Sequence, residues 1–187
     1  MQLESGIGNG FLAGVDRDNR LLTESVTVTQ MANASDDSRA FLVATDFITL
    51  TTTASFSGVL YIKNTSTDTD MYIQSIRTCG DSAQYWRMYR NVTTGTLITG
   101  GTSAEIHNGK FGSNFLPAAD VIKGADSLTI TDGDVLGTHY QGAGHSVQDF
   151  DGGIELSPGS SIAWEVKPGT NPTDVCMQVL LFLGKRS

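Results

Sequence analysis

Charge is scarce in this chain of 187 residues, because Asp, Glu, Lys and Arg together make up only 17% of it. A mainly helical protein would draw on Glu, Lys, Ala and Leu, whereas Thr, Ser, Asn, Asp and Gly are abundant here. The composition therefore argues against a helical fold and favours strands joined by many turns. The length predicts one domain, with or without an arm. A chain of this length buries roughly 70% of its unfolded surface, so it can form a stable core without cross-links.

Basic residues are the scarcer charged class: 12 Lys and Arg stand against 20 Asp and Glu, for a net charge of −8. Binding to phosphate or to an anionic membrane needs clustered Lys and Arg, so we expect neither nucleic acid nor a membrane as partner. No apolar run approaches the ~20 residues that span a bilayer. The first residues include neither a basic nor an apolar leader segment, which predicts a soluble protein made in a cytosol.

Cysteine is limited to Cys79 and Cys176, too few for a disulfide framework. Both fall in or at the end of predicted strands, so we interpret them as two small buried apolar side chains. The alternative is a bridge between them, and such bonds are typical of secreted proteins.

Catalytic and metal-binding motifs are also missing: the sequence has no Gly-x-Ser-x-Gly, no His-Glu-x-x-His and no phosphate loop. His139 and His145 lie six residues apart with Asp149 and Asp151 nearby, but this spacing matches no tight metal motif. His107 stands apart from both. We therefore predict no catalytic residue, no cofactor and no metal.

Two pairs of carboxylates remain as candidates for acid–base chemistry, Asp68 with Asp70 and Asp132 with Asp134. Each pair lies in a predicted turn, where Asp is common because its side chain bonds the nearby backbone. A small hydrolase that uses paired carboxylates is the alternative, and it would require one pair to face a cleft.

The first 20 residues differ from the rest, because Gly6, Gly8, Gly10 and Gly14 interrupt any regular structure. Apolar residues are nevertheless spaced among them, which favours an arm that orders against a neighbour. We predict an N-terminal extended arm over residues 1–20 and a β-sandwich domain over residues 21–187. The residues predicted to form the arm's assembly interface are Ile7, Phe11, Leu12, Val15, Arg17 and Arg20.

Residues 21–187 predict roughly eight short strands, and we expect an all-β, antiparallel β-sandwich or jelly roll. Alternating apolar residues predict one hairpin over 56–76 and another over 153–168, the second turning at Pro158–Gly159. The apolar run 174–183 predicts a buried strand of the same sheet. Residues 97–98 are predicted to follow a turn from the strand at 85–90, and residues 118–123 to form a short helical turn.

The segment 85–90 is aromatic and alternating. The alternation predicts that Trp86 and Met88 point into the core, and that Tyr85, Arg87 and Tyr89 point outward. Outward aromatics beside arginine can stack on sugars or on bases. An ordinary surface and a sugar platform both remain open.

The chain resembles a family of tailed-bacteriophage virion proteins, of the capsid decoration (cement) or head-fibre type, in several motifs and in their order along the sequence. The likeness covers nearly the whole chain and begins with Gly8-Asn9-Gly10-Phe11 and the charged segment 15–21. Its further motifs are 59–64 with 71–73, 91–97, 114–116, 122–125 and 156–162.

The resemblance implies a non-enzymatic structural protein that binds and stabilises the capsid shell. It also implies a sandwich or jelly-roll body that assembles as a symmetric oligomer, commonly a trimer, with the major capsid protein or another virion protein as partner. The expected location is the capsid surface of a virion assembled in the host cytoplasm. The alternative is a carbohydrate- or receptor-binding module of a head fibre or tail tip.

Overall fold

The structure is a computed structural model that describes residues 14–15, 21–22, 34–35 and 37–185. These residues include fourteen strands and the short helix α1 (Thr96–Gly100). The strands are β1 (Gly14–Val15), β2 (Leu21–Leu22), β3 (Ala40–Ala44), β4 (Ile48–Leu50), β5 (Ser57–Asn64), β6 (Thr69–Gly80), β7 (Gln84–Arg90), β8 (Thr102–Ser103), β9 (Glu105–Asn108), β10 (Ala119–Lys123), β11 (Asp134–Gln141), β12 (Gly144–Leu156), β13 (Ser161–Pro168) and β14 (Thr173–Lys185).

Two antiparallel sheets pack face to face, which confirms the predicted all-β sandwich. Sheet 1 has the order β11-β7-β13-β5-β10-β8, and sheet 2 has the order β12-β6-β14-β3-β9, with β4 also paired to β14. The chain passes from β5 in sheet 1 to β6 in sheet 2 and back to β7, and it alternates again from β11 through β14. The central strands β11-β7-β13-β5 and β12-β6-β14-β3 therefore follow jelly-roll winding.

The main core lies between the sheets and consists of the side chains that alternate inward from both. Trp86 on sheet 1 and Phe41 on sheet 2 are both fully buried. The central strands β5 and β13 are buried along almost their whole length, which places them in the middle of sheet 1 with both faces covered. Other members of this core are Leu60, Ile62, Met71, Ile73, Ile162, Trp164, Val166, Met177, Val179 and Leu181.

A second, smaller core covers part of the outer face of sheet 1. Leu97 from α1 is buried there against Tyr61 and Ala163 of the sheet. The chain approaches closely at Gly124, where an added Cβ would lie 1.8 Å from the carbonyl oxygen of Gly58. Only glycine fits at that position, and the segment after it can therefore lie flat on the sheet.

Both predicted hairpins are wrong, although the strands themselves are present. β5 lies in sheet 1 and β6 in sheet 2, and β12 and β13 are divided between the sheets in the same way. The polar segments 65–68 and 157–160 are thus corners that carry the chain across the sandwich. The helical turn predicted at 118–123 is also wrong, because residues 119–123 form strand β10. Residues 97–98 follow the loop after β7, as predicted, and belong to helix α1.

The interpretation of the cysteines as two small buried apolar side chains is also wrong, and the alternative of a bridge is confirmed. Cys79 on β6 and Cys176 on β14 are directly opposite each other and form a disulfide, with the Cα atoms 5.1 Å apart. Both residues point to the outer face of sheet 2 and are partly exposed.

The predicted arm is described only at Gly14–Val15, which pairs as β1 with β2 in a separate two-stranded ladder. The ladder joins the predicted arm to the first residues of the predicted domain. Ile7, Phe11, Leu12, Arg17 and Arg20 lie outside the described residues.

Candidate functional site

An exposed pair of tyrosines lies on the outer face of sheet 1, at the edge formed by β7 and β11. Tyr85 and Tyr140 are directly opposite each other on these strands. Their side chains are 47% and 62% exposed, and their ring centroids are 5.2 Å apart at an interplanar angle of 55°. The strand pairing holds both rings side by side, so they form one aromatic surface open to solvent.

An oriented arginine lies beside this pair. The guanidinium of Arg87 lies 3.9 Å from the centre of the Phe56 ring, and its Nη1 is 3.4 Å from Oε1 of Glu165. Glu165 is only 5% exposed and also accepts a 2.7 Å hydrogen bond from the Tyr89 hydroxyl. Burial, together with this bond to a carboxylate, raises the pKa of Tyr89. The cluster holds Arg87 in one orientation without leaving a net charge.

Trp86 and Met88 point inward and Tyr85 points outward, as the alternation of the segment predicts. Trp86 is fully buried and therefore cannot stack on a ligand. Sequence reasoning missed Tyr140 and Glu165, because they belong to β11 and β13 and reach β7 only through strand pairing. The alternating Thr138-His139-Tyr140 segment of β11 was the only local signal.

A cavity of about 150 Å³ opens between the sheets beneath β7 and β11. His139 lines it together with Thr78, Gln148 and Trp164. The imidazole lies parallel to the Trp86 ring, with centroids 6.4 Å apart, and neither its Nε2 nor Trp86 Nε1 has a hydrogen-bond partner. Burial lowers the pKa of His139, because the charged form is poorly solvated there.

This lowered pKa predicts a loss of stability at mildly acidic pH. Below about pH 6.5 the unfolded chain takes up a proton at His139 that the folded chain does not, so folding weakens as the pH falls. We expect the melting temperature to fall between pH 7.5 and 5.5, and His139→Phe to reduce that fall by a few degrees at most, because the ring is partly solvated. Differential scanning calorimetry measures this, with exposed His107→Gln as the control. Parallel curves for wild type and His139→Phe would contradict the assignment.

The structure does not bring the candidate metal ligands together. His139 faces the cavity between the sheets, whereas His145 is exposed on the outer side of sheet 2. Across residues 37–185 and the shorter described segments, no three His, Cys, Asp or Glu side chains form a group that could hold a metal ion.

One carboxylate of each pair stabilises a turn, whereas Asp70 and Asp134 lie in strands β6 and β11. Asp132 accepts hydrogen bonds from the Thr93 side chain and from the backbone N–H of Thr93 and Thr94, which lower its pKa to about 2. Asp134 pairs with Arg90 at 3.1 Å, and Asp68 accepts a bond from Ser66 within its own turn. A general acid needs a raised pKa, so the lowered pKa of Asp132 is the opposite of what that role requires.

The outer face of sheet 2 is an uneven surface that is open in this structure. Two depressions of about 300 and 380 Å³ flank the disulfide, and both reach Cys176 and Gln178. Phe47 stands beside one of them and Val147 beside the other, with side chains 73% and 48% exposed. The disulfide therefore forms part of an accessible face.

A further apolar surface lies in the loop between β9 and β10, residues 109–118. Phe111 is fully exposed, and Phe115 and Leu116 are 51% and 60% exposed. The loop is fixed at its base, because Asn108 Nδ2 donates to the Phe115 carbonyl at 3.0 Å and to the Ser38 carbonyl at 2.8 Å. We call these three side chains the apolar loop.

No family model and no curated protein matches the chain. Among solved structures, the chain is similar to an α-amino acid ester hydrolase labelled with selenomethionine, at 10% identity and a TM-score of 0.15. The alignment covers 79% of this chain and 26% of the hydrolase, so this chain spans about a quarter of that protein's length. A likeness at this TM-score carries no argument about fold or activity. In the part of the chain that is described, no helix is long and apolar enough to span a bilayer.

Proposed function

We propose that the protein is a non-enzymatic structural protein of a phage virion, which binds the capsid shell as a symmetric oligomer and stabilises it. The observation that supports this proposal is the apolar loop. A soluble monomer rarely exposes large apolar side chains together, and a cluster of them marks a surface that is buried in an assembly. In this proposal the loop contacts the shell or a neighbouring subunit.

The contacts that hold the apolar loop in place support its role as a binding surface. Phe115 lies against buried Phe41, with ring centroids 5.9 Å apart, and Asn108 bonds its backbone. Phe111 and Leu116 are therefore presented by a base that is already ordered, and binding loses less entropy than it would with a free loop. The predicted arm, including Ile7 and Phe11, would extend the same contact to a neighbour.

The disulfide supports a working location outside a reducing cytosol. Disulfides persist in oxidising surroundings, and the exterior of a released virion is one of these. Cys79 and Cys176 lie on the exposed face of sheet 2, where a cytosolic reductant could reach them. In this proposal the bridge forms after the particle leaves the cell, where dissolved oxygen accepts the two electrons and two protons that the thiols release.

The apolar loop is tested by Phe111→Ser, Leu116→Ser and the double variant, mixed with capsids that lack this protein. Burial of one such side chain contributes about 1.5–3 kcal/mol, so we expect each single change to weaken binding by roughly 10- to 100-fold. Co-sedimentation with the capsids gives the affinity, and light scattering gives the oligomeric state. Phe47→Ser is the matched control, because Phe47 is also a highly exposed phenylalanine, at 73%, but lies elsewhere. Removal of residues 1–20 tests the arm in the same assay.

The outcomes distinguish the parts of the proposal. Wild-type protein that does not bind the capsids refutes the decoration role. Binding that is lost in Phe47→Ser as strongly as in Phe111→Ser refutes the assignment of the contact to the apolar loop. Full binding after removal of residues 1–20 refutes the role of the arm and leaves that of the loop.

A further inference from the structure

The outer face of sheet 1 is covered at one end and open at the other. Helix α1 and the segment 124–131 bury Tyr61 and Ala163, which lie towards β5 and β10. The opposite end carries Tyr85 and Tyr140, and no described segment packs over them. The outer face of sheet 1 therefore has one half covered by α1 and the segment 124–131, and one open half that carries the two tyrosines.

The open half is arranged in rows that follow the strand pairing. Tyr85 lies between Tyr140 on β11 and Lys167 on β13, which are its partners in register. The next row, in the same order, consists of Thr138, Arg87 and Glu165. A row of aromatic rings is thus followed, about 7 Å along the strands, by a row of polar groups that point the same way.

The polar row is held in position before any ligand arrives. Arg87 is stacked on Phe56 and paired with Glu165, and Tyr89 donates to the same carboxylate oxygen. The Arg87 side chain is nevertheless 40% exposed, so N–H groups remain accessible at the surface. A donor whose orientation is already fixed loses little entropy when it bonds a ligand hydroxyl.

We propose that this half of sheet 1 binds a neutral saccharide chain. A pyranose ring offers a face of C–H groups, which stacks on a tyrosine ring, and an edge of hydroxyls, which can accept from Arg87 and bond Thr138. This pattern matches an aromatic row next to a polar row. The surface is flat rather than a pocket, so it fits a chain of sugars and not a single small molecule.

The charges favour a saccharide over a nucleic acid, the other ligand that stacks on aromatic rings. Stacked single strands also need a positive groove for their phosphates. Here the carboxylate of Glu165 offsets Arg87, Asp134 pairs with Arg90, and the whole chain has a net charge of −8. Lys167 beside Tyr85 adds one positive charge to this surface, which is fewer than the clustered cations that a phosphate backbone requires.

The test uses the full chain in affinity electrophoresis through native gels that contain dextran, amylose, xylan or galactomannan, together with a printed glycan array. We expect retardation by at least one polysaccharide. Tyr85→Ala and Tyr140→Ala should each weaken that binding at least tenfold, whereas Tyr85→Phe should retain it because the ring remains. Phe47→Ala is the control for loss of an exposed aromatic elsewhere, and circular dichroism verifies that each variant folds.

The proposal is overturned if wild-type protein binds none of the four polysaccharides and no printed glycan. It is also overturned if folded Tyr85→Ala and Tyr140→Ala bind as the wild type does. If single-stranded oligonucleotides bind and compete with the polysaccharide, the ligand of this surface is a nucleic acid and not a saccharide. Capsid binding is measured separately, so failure of the saccharide site leaves the decoration role intact, and the reverse also holds.

Discussion

The double variant Cys79→Ser, Cys176→Ser is expected to lose about 3–5 kcal/mol of unfolding free energy. The bridge joins residues 97 positions apart, and the loop that it closes contains every strand from β7 to β13. In the oxidised unfolded chain this long loop remains closed, which removes conformations that the reduced chain can adopt. The expected loss comes mainly from the unfolded state and needs no change in the native fold.

Denaturant titration of wild type and variant, each with and without reductant, measures this loss. Reductant should lower the wild-type midpoint to about that of the variant and leave the variant unchanged. A variant with Ala at both positions controls for the hydroxyl groups at these partly exposed sites. Equal midpoints for oxidised wild type and both variants would show that the bridge contributes nothing to stability.

The sequence predicted the strands well, because each carries its own pattern. Alternating or continuous apolar residues mark β5, β7 and β14, and all three appear where the pattern places them. Burial on one or both faces is a local property of a strand, so a single sequence reveals it. The helix α1 was missed for the same reason, since five residues are too few to show helical periodicity.

Strand pairing could not be predicted from the same patterns. A polar turn reverses the chain both in a hairpin and in a corner between two sheets. The sequences of segments 65–68 and 157–160 therefore do not indicate which of the two structures they form. The same limit hid the disulfide and the tyrosine pair. Cys79 meets Cys176, and Tyr85 meets Tyr140, only because β6 lies beside β14 and β7 beside β11.

One residue holds both misassigned corners together. Asn64, at the end of β5, is fully buried, and its Nδ2 donates to the carbonyls of Thr69 and Leu156 at 2.8 Å each. Its Oδ1 accepts from the N–H of Ser66 at 3.0 Å, and its own carbonyl accepts from Gly159. A single amide thus joins the end of β5 in sheet 1 to the start of β6 and the end of β12 in sheet 2.

Asn64→Ala is expected to cost about 2–4 kcal/mol, because it leaves two carbonyls and one N–H at this junction without partners. Asn64→Asp keeps the shape but replaces the two donated hydrogen bonds by repulsion between a carboxylate and two carbonyl oxygens. Burial and this repulsion would raise the pKa of the new carboxyl above its unfolded value of about 3.9. The folded chain would then bind a proton that the unfolded chain has released, so the stability of this variant falls as the pH rises through that interval.

A comparison of the two variants therefore distinguishes the effect of losing the whole side chain from the effect of losing its hydrogen-bond donors. Denaturant titration at several pH values, each compared with wild type at the same pH, should show Asn64→Asp recovering part of its loss in acid. A protonated carboxyl can donate one of the two bonds that the amide made, whereas Asn64→Ala can regain neither and should show a constant deficit. Asn114→Asp, at an exposed position in the 109–118 loop, controls for the added charge. A constant deficit for Asn64→Asp would mean that its carboxyl turns to solvent, and that the corners are held together by their backbone bonds and not by this amide.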